Sequence, residues 1–343
     1  MITVKPYSTF DGKQISTYTI TNGNGIKAVF TDFGGTLLNL YITKDYKTYD
    51  VVLGFDSFED YLSNPEYMGC VIAPNADRVA KGKCTINGIS YQMEINADPD
   101  NLHTSDRYAA NKQIMKADYA NNSITFSIHF NDLQAGLPGN RDFSVTYTLD
   151  DTNDLSITYK MHSDKDTIFS PTNHSYFNLN GHDSGSTFKH ILKLDCDCYL
   201  PCDETSIPTG EIKHVTETIF DFREGKPIGQ DYDEENEQFK ITKGYDHCFA
   251  INNYDKTIRQ VAILEGDISH IVMKVYTDLP GILFYNGNYL NRIGKNGVHY
   301  HPHDSISLET EYFPDSINHN SFPSCVMKAH ETRRYHTILH FDF

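Results

Sequence analysis

The sequence predicts a mainly β protein, a large antiparallel β-sandwich with few short helices, laid out as a single domain over residues 1–343. Two observations carry this. Apolar residues alternate with polar ones at Ile124, Phe126, Ile128 and Phe130, at Phe143, Val145, Tyr147 and Leu149, and at Leu155, Ile157, Tyr159 and Met161. Period two of this kind marks strands with one buried and one wetter face. Helical periodicity is meanwhile scarce, and no alternation of strand and helix patterns suggests a parallel α/β sheet.

In chain order, NGNG (22 to 25) reads as a first turn, and Phe58, Tyr61 and Leu62 as one short amphipathic helix. KGK (81 to 83) is the next turn, the three alternating runs follow with DDTND between the last two, and NNYDK (252 to 256) punctuates the final third. The pattern is a succession of antiparallel hairpins. There is no repeat at a fixed period, no low-complexity stretch and no Pro/Ser-rich linker.

Formal net charge is −17, from 46 acidic and 29 basic residues. A surface of that sign repels phosphate backbones and anionic lipid, so neither nucleic acid nor a membrane is an expected partner. Met1 leads into ITVKPYSTFDGK without a basic start or an apolar core, and no stretch approaches the roughly 18 apolar residues of a membrane helix. Seven cysteines, an odd number with Cys196, Cys198 and Cys202 crowded together, fit a reduced, cytoplasmic compartment better than a bridged framework. The 23 tyrosines and 20 phenylalanines, with no tryptophan, suit half-buried strands and also sugar-stacking surfaces.

Several segments carry chemistry-bearing residues. In SISLETEYFPDS (305 to 316), alternation sends Ile306 and Leu308 to one face and Ser305, Ser307 and Glu309 to the other. Glu309 is then either an acid on a solvated strand face or a group presented to a site. In SPTNHSYFNLNGH (170 to 182), an extended chain lines up His174, Tyr176 and Asn178, a row of imidazole, phenol and amide suited to hydroxyl-rich ligands or to a satisfied core. His103 in PDNLHTS, and Asp246 with His247 in KGYDHCFA, lie at turn-like borders where binding groups tend to sit.

HYHPHD (299 to 304) and the three-cysteine cluster lack the paired ligand spacing of zinc sites, so no metal is expected. Neither a Gly-rich phosphate loop nor a GxSxG elbow is present.

Taken together and in order, the segments TDFGGTLLNL, VVLGFDSFEDYL, NADRVAKGK, NLH, GLPGN, TNHSYFNL, GYDH, LPGILFYNGN and LETEYFPDS resemble the aldose 1-epimerase (galactose mutarotase) family nearly end to end. The resemblance implies the galactose mutarotase-like β-supersandwich. It also implies an isomerase that interconverts the α and β anomers of a free aldose, such as galactose or glucose, with no cofactor.

Carried over residue by residue, it makes Glu309 the general base, His174 the general acid and His103 its partner near the ring oxygen. Arg78 and Asp246 resemble the family's sugar-binding arginine and aspartate. Asn75, Tyr176, Tyr285 and Asn286 are further candidates for contacts with the sugar. A histidine beside carboxylates is expected to be protonated near neutral pH, and a glutamate facing histidine and arginine to stay ionised.

The chain departs from the family's GRxANR at Pro74 and Asp77, and from the usual pair of glycines after NxLH at Thr104 and Ser105. These positions flank the expected sugar site, so they leave room for another sugar, such as maltose or a modified hexose. A non-catalytic sugar-binding protein on the same scaffold is the competing reading.

Overall fold

The computed structural model describes residues 2–343. The three alternating runs become the strands Ser123–Phe130, Arg141–Leu149 and Asp154–Ser163. They pair antiparallel with Phe126 opposite Val145 and Tyr147 opposite Ile157. Phe126, Tyr147 and Tyr159 are wholly buried, and a side chain of that size contributes roughly 1.5–3 kcal/mol when taken out of water. On the opposite face Thr125 and Thr146 share a hydroxyl hydrogen bond of 2.8 Å.

These strands occupy one side of a nine-stranded sheet. Its centre is the strand Thr332–Asp342, seated between Asp154–Ser163 and Val272–Thr277. Two five-stranded sheets accompany it. The first runs from Ile2–Phe10 to Lys47–Asp50 as a simple meander. It packs on the large sheet through Phe30 stacked on Tyr147 at 4.2 Å and through the Tyr147 hydroxyl, which donates to the Gly35 carbonyl at 2.8 Å.

The second contains, as three adjacent strands, Asp246–Ala250, Gly281–Tyr285 and Ser307–Glu311. Thr310 meets Thr337 of the large sheet, and the Tyr335 hydroxyl donates to that of Tyr312 at 3.2 Å. Period two then turns Glu309 and Glu311 away from the large sheet. The fold is thus the mainly β, antiparallel layered arrangement that the sequence predicts.

Among the described residues helix is confined to short pieces. Phe58–Ser63 is capped by Ser57, whose Oγ accepts from the Asp60 amide at 3.2 Å, and the Asn64 amide closes it on the Asp60 carbonyl at 2.9 Å. A second helix, Glu237–Thr242, leaves no mark in the periodicity of the sequence; Asn236 caps it by accepting from the Gln238 amide at 3.0 Å.

Candidate active site

The three central strands of the second small sheet set one wall of a pocket. Tyr285 pairs with Asp246 on one side and Ser307 on the other, and Leu283 pairs with Glu309. Period two therefore puts Asp246, Tyr285, Leu283 and Glu309 on a single sheet face. All five residues of Ser307–Glu311 are buried, Glu309 to 2% exposure. The solvated-face alternative for Glu309 is thereby set aside, because the large sheet covers one side of its strand and the pocket elements cover the other.

Opposite this wall lies the short strand Thr172–His174, which pairs with Cys70–Ile72 so that His174 faces Cys70. The Gly69 amide donates to the His174 carbonyl at 2.9 Å. Only glycine fits at position 69, since its φ is +72° and a Cβ would come within 2.1 Å of the Leu37 carbonyl oxygen. Held this way, His174 Nε2 stands 3.4 Å from Glu309 Oε1, and its ring stacks on Tyr176 at 5.1 Å. The Tyr176 hydroxyl donates to the Glu66 carbonyl at 2.7 Å.

A third group enters on a clamped pair of turns. Leu102 pairs with Arg78 across a two-residue ladder. The Asp77 amide donates to His103 Nδ1 at 3.0 Å while the His103 amide donates to the Asp77 carbonyl at 3.1 Å. Because Nδ1 accepts, the hydrogen of the neutral His103 ring is on Nε2. Thr104, one of the departures from the family pattern, ties the same turns together: its Oγ1 donates to the Asn75 carbonyl at 2.7 Å and accepts from the Asn75 amide at 3.0 Å. Asp77, His103 and Thr104 all have φ between 51° and 75°. Non-glycine residues take such values at an energetic cost, and sites are where that strain concentrates.

Together these elements enclose a cavity of about 150 Å³ lined by Arg78, His103, His174, Tyr176, Asp246, Tyr285 and Glu309, with Asp77, Glu66, Tyr67, Leu102, Leu283 and Tyr289 among the remaining walls. Asn64 fastens the rim, since its Oδ1 accepts from the Met68 amide at 2.9 Å and its Nδ2 donates to the Met68 carbonyl at 3.1 Å. Glu66 is anchored by Arg292 Nε at 2.7 Å, and Tyr67 lies edge-on to His103 at 4.6 Å.

Two of the residues expected at the sugar lie elsewhere. Asn75 spends its amide on the Ala76 carbonyl at 2.9 Å, and Asn286, wholly buried, donates to Thr187 Oγ1 at 3.0 Å and the Ser305 carbonyl at 2.9 Å. Neither lines the cavity; Asp77, Glu66, Tyr67 and Tyr289 do. Asp77 was legible as a departure from the family pattern, but the rim residues carry no signal of their own in the sequence. Of the HYHPHD histidines, His299 engages Asn291 at 2.7 Å and His303 stacks on Phe188 at 4.7 Å.

Burial dominates the electrostatics, and it reverses the expected protonation of the central pair. It pushes His174 down to about 4. Burial also raises Glu309 well above the usual carboxylate range, reinforced by the negative charges of Asp77 and Asp246 and opposed by the Ser307 hydroxyl. Burial thus favours the uncharged form of each, a carboxylic acid facing a neutral imidazole.

His103 is pushed well below its ordinary value by burial, then by His174 and Arg78. Asp246 rises to about 7, by burial and Asp77 against the opposing pull of Arg78. For Arg78 burial works against the charge, but Asp77 and Asp246 outweigh it, with a contact to Asp77 of 3.4 Å.

A carboxyl and an imidazole 3.4 Å apart, inside a small polar cavity walled by tyrosines and one arginine, define an acid–base enzyme for a small hydroxylated molecule, built on a layered antiparallel β scaffold. The chain belongs to the aldose 1-epimerase family, whose model matches residues 16–340. It is 34% identical to an aldose 1-epimerase of Haemophilus influenzae over 97% of both chains. With a galactose mutarotase of Mus musculus it shares 37% identity over 86% of this chain and 85% of that one.

Among solved structures, a GalM/aldose epimerase homologue from C. elegans superimposes with a TM-score of 0.87 at 27% identity, over 94% of this chain and 98% of the other. A galactose 1-epimerase from Lactobacillus acidophilus does so with a TM-score of 0.87 at 25% identity, over 100% and 98%. The protein is thus an isomerase with aldose 1-epimerase activity, and its substrate is a sugar.

Proposed function

We propose that the cavity interconverts the anomers of a free, uncharged aldose of the galactose or glucose type by acid–base ring opening, with Glu309 and His174 as the proton carriers. The observation that carries this reading is the 3.4 Å approach of His174 Nε2 to Glu309 Oε1 inside the cavity. Passing the carboxyl proton from Glu309 to His174 creates the working state, a carboxylate and an imidazolium. Glu309 then takes the proton of the anomeric hydroxyl as His174 gives one to the ring oxygen, and the bond from C1 to the ring oxygen breaks.

The aldehyde turns about C1–C2, and the ring recloses on the other face with both transfers reversed. No electron or group leaves the sugar. Positioned proton transfer of this kind contributes about 10²- to 10⁴-fold. His103 supports the ring oxygen through its Nε2 hydrogen, while Arg78, Asp246, Tyr176 and Tyr285 hold hydroxyls.

The acidic lining disfavours hexose phosphates and leaves neutral sugars, maltose among them, as substrates to compare. The chain acts as one unit, and its seven free thiols suit a reducing, cytoplasmic setting. Polarimetry of freshly dissolved α-galactose, α-glucose and maltose tests the reading with wild type, Glu309→Ala and His174→Ala. Both variants are expected to keep the wild-type circular dichroism and to lose about 10²-fold or more in kcat. Wild-type turnover in either would remove that residue from the mechanism.

A further inference from the structure

His174 has to deliver a proton to one atom of the sugar, yet no third residue sets its ring by a hydrogen bond. Its Nδ1 is buried with no other residue bonded to it, and its Nε2 stands 3.4 Å from Glu309 Oε1. His103 differs, because the Asp77 amide fixes its Nδ1 at 3.0 Å. A ring that no hydrogen bond orients is oriented by what packs on it, and proton transfer depends on that orientation.

Four rings pack on His174. Tyr176 stacks at 5.1 Å with 26° between the planes, His103 stands edge-on at 5.3 Å, Tyr67 leans over it at 5.9 Å and 37°, and Tyr285 is edge-on at 6.3 Å. Of the three tyrosines only Tyr67 also meets His103, edge-on at 4.6 Å. Tyr67, His103 and His174 therefore prop one another.

The turn that carries Tyr67 is tied at several points. The Tyr67 amide donates to the Asn64 carbonyl at 3.1 Å, and the Cys70 amide donates to the Tyr67 carbonyl at 3.0 Å. Its neighbour Glu66 is held by Arg292 at 2.7 Å and accepts the Tyr176 hydroxyl at its carbonyl. One ring that flanks His174 is thus bonded to the turn that bears another. Tyr67 itself has φ of 59°, a value a bulky side chain adopts only where its surroundings over-determine it.

We propose that Tyr67 is a positioning residue for the reaction: its ring, set against both imidazoles by this turn, fixes the direction in which His174 gives its proton to the ring oxygen and His103 presents its Nε2 hydrogen. This rests on the acid–base reading given above. Both contacts are made by the ring, so the phenol hydroxyl is not required for them.

The test is mutarotation of the fastest among α-galactose, α-glucose and maltose, followed polarimetrically for wild type, Tyr67→Leu, Tyr67→Phe and His174→Ala, with circular dichroism to establish the fold. Tyr67→Leu is expected to lose about 10- to 100-fold in kcat, the scale of a misplaced reacting group, with a smaller change in KM. Tyr67→Phe, which keeps the ring, is expected to recover most of that loss. In a His174→Ala background Tyr67→Leu is expected to cost less than it does alone, since residues that act as a unit are not additive. Wild-type kcat in Tyr67→Leu, an effect confined to KM, an equal loss of kcat in Tyr67→Phe, or the full cost again beside His174→Ala would each overturn the proposal. If Tyr67→Leu does not fold, Tyr67→Asn removes the ring with a residue that tolerates positive φ and carries the same test. An inactive His174→Ala beside an unimpaired Tyr67→Leu overturns this proposal alone, whereas wild-type turnover in His174→Ala overturns the acid–base reading beneath it.

Discussion

The side chain of His174 shows how far environment can move a group from its free behaviour. Beside carboxylates in water it would gain a proton; walled in with Tyr176 and Glu309 it is pushed down to about 4. The working pair holds one proton, and a second proton removes the base. The limb on which kcat/KM falls with acidity is therefore expected near pH 4, well below an ordinary histidine's pKa of about 6.5. Polarimetric rates corrected for the spontaneous reaction check this, and a midpoint at the ordinary histidine value would contradict it. Arg78 poses a separate question. Its guanidinium is held charged by Asp77 and Asp246 at the cavity wall, and a hydrogen bond from a charged donor is worth about 1.5–3 kcal/mol. Arg78→Ala is expected to raise KM roughly 10- to 100-fold with a smaller effect on kcat, since the contact serves bound sugar and transition state alike.

Elements decide which of the expected residues reach the sugar. Alternation alone placed Glu309 on the face opposite Ile306 and Leu308, and the structure agrees. The same alternation says nothing about what covers a strand, so the burial of the whole segment Ser307–Glu311 was not legible. Nor was the choice between Asn75 and Asp77, because it is made by a turn in which Asp77 takes φ of 52° while Asn75 is tied to Thr104. The helix Glu237–Thr242 is too short for a 3.6-residue period to declare itself, and only its cap at Asn236 hints at it. It nevertheless supplies Gln238, whose Oε1 meets His247 Nε2 at 3.1 Å beneath Asp246. Thr104 is the element-scale test. Thr104→Ala leaves the Asn75 amide and carbonyl without their partner, and a buried group so stranded costs about 1–3 kcal/mol. Chemical denaturation is expected to show that loss, accompanied by weaker sugar binding, since the same clamp sets Asp77 and His103.

For the whole molecule, the concentration of buried acids at one site is a standing charge on stability. An acid whose value is raised in the fold keeps its proton after the unfolded chain has lost it. Stability therefore falls as pH rises from the unfolded carboxylate's value of about 4.5 through the folded one. Glu311 belongs to this group. Glu311→Met removes an unpartnered buried carboxyl and is expected to stabilise the protein by about 1–3 kcal/mol at neutral pH, with the gain shrinking as the pH falls below about 4.5, where the unfolded chain also comes to hold the Glu311 proton. Thermal unfolding at two pH values checks the sign. The large sheet has a different consequence, one for synthesis. Its central strand, Thr332–Asp342, joins Asp154–Ser163 to Val272–Thr277. A ribosome adding about 5–20 residues per second delivers Ser163 on the order of ten seconds before Thr332. Through that interval the edge of Asp154–Ser163 stays bare, and once Thr277 is made that of Val272–Thr277 is bare as well; a bare edge is the form of β-structure most open to pairing with another chain. A chaperone that shields those edges during translation would act before any sugar could bind.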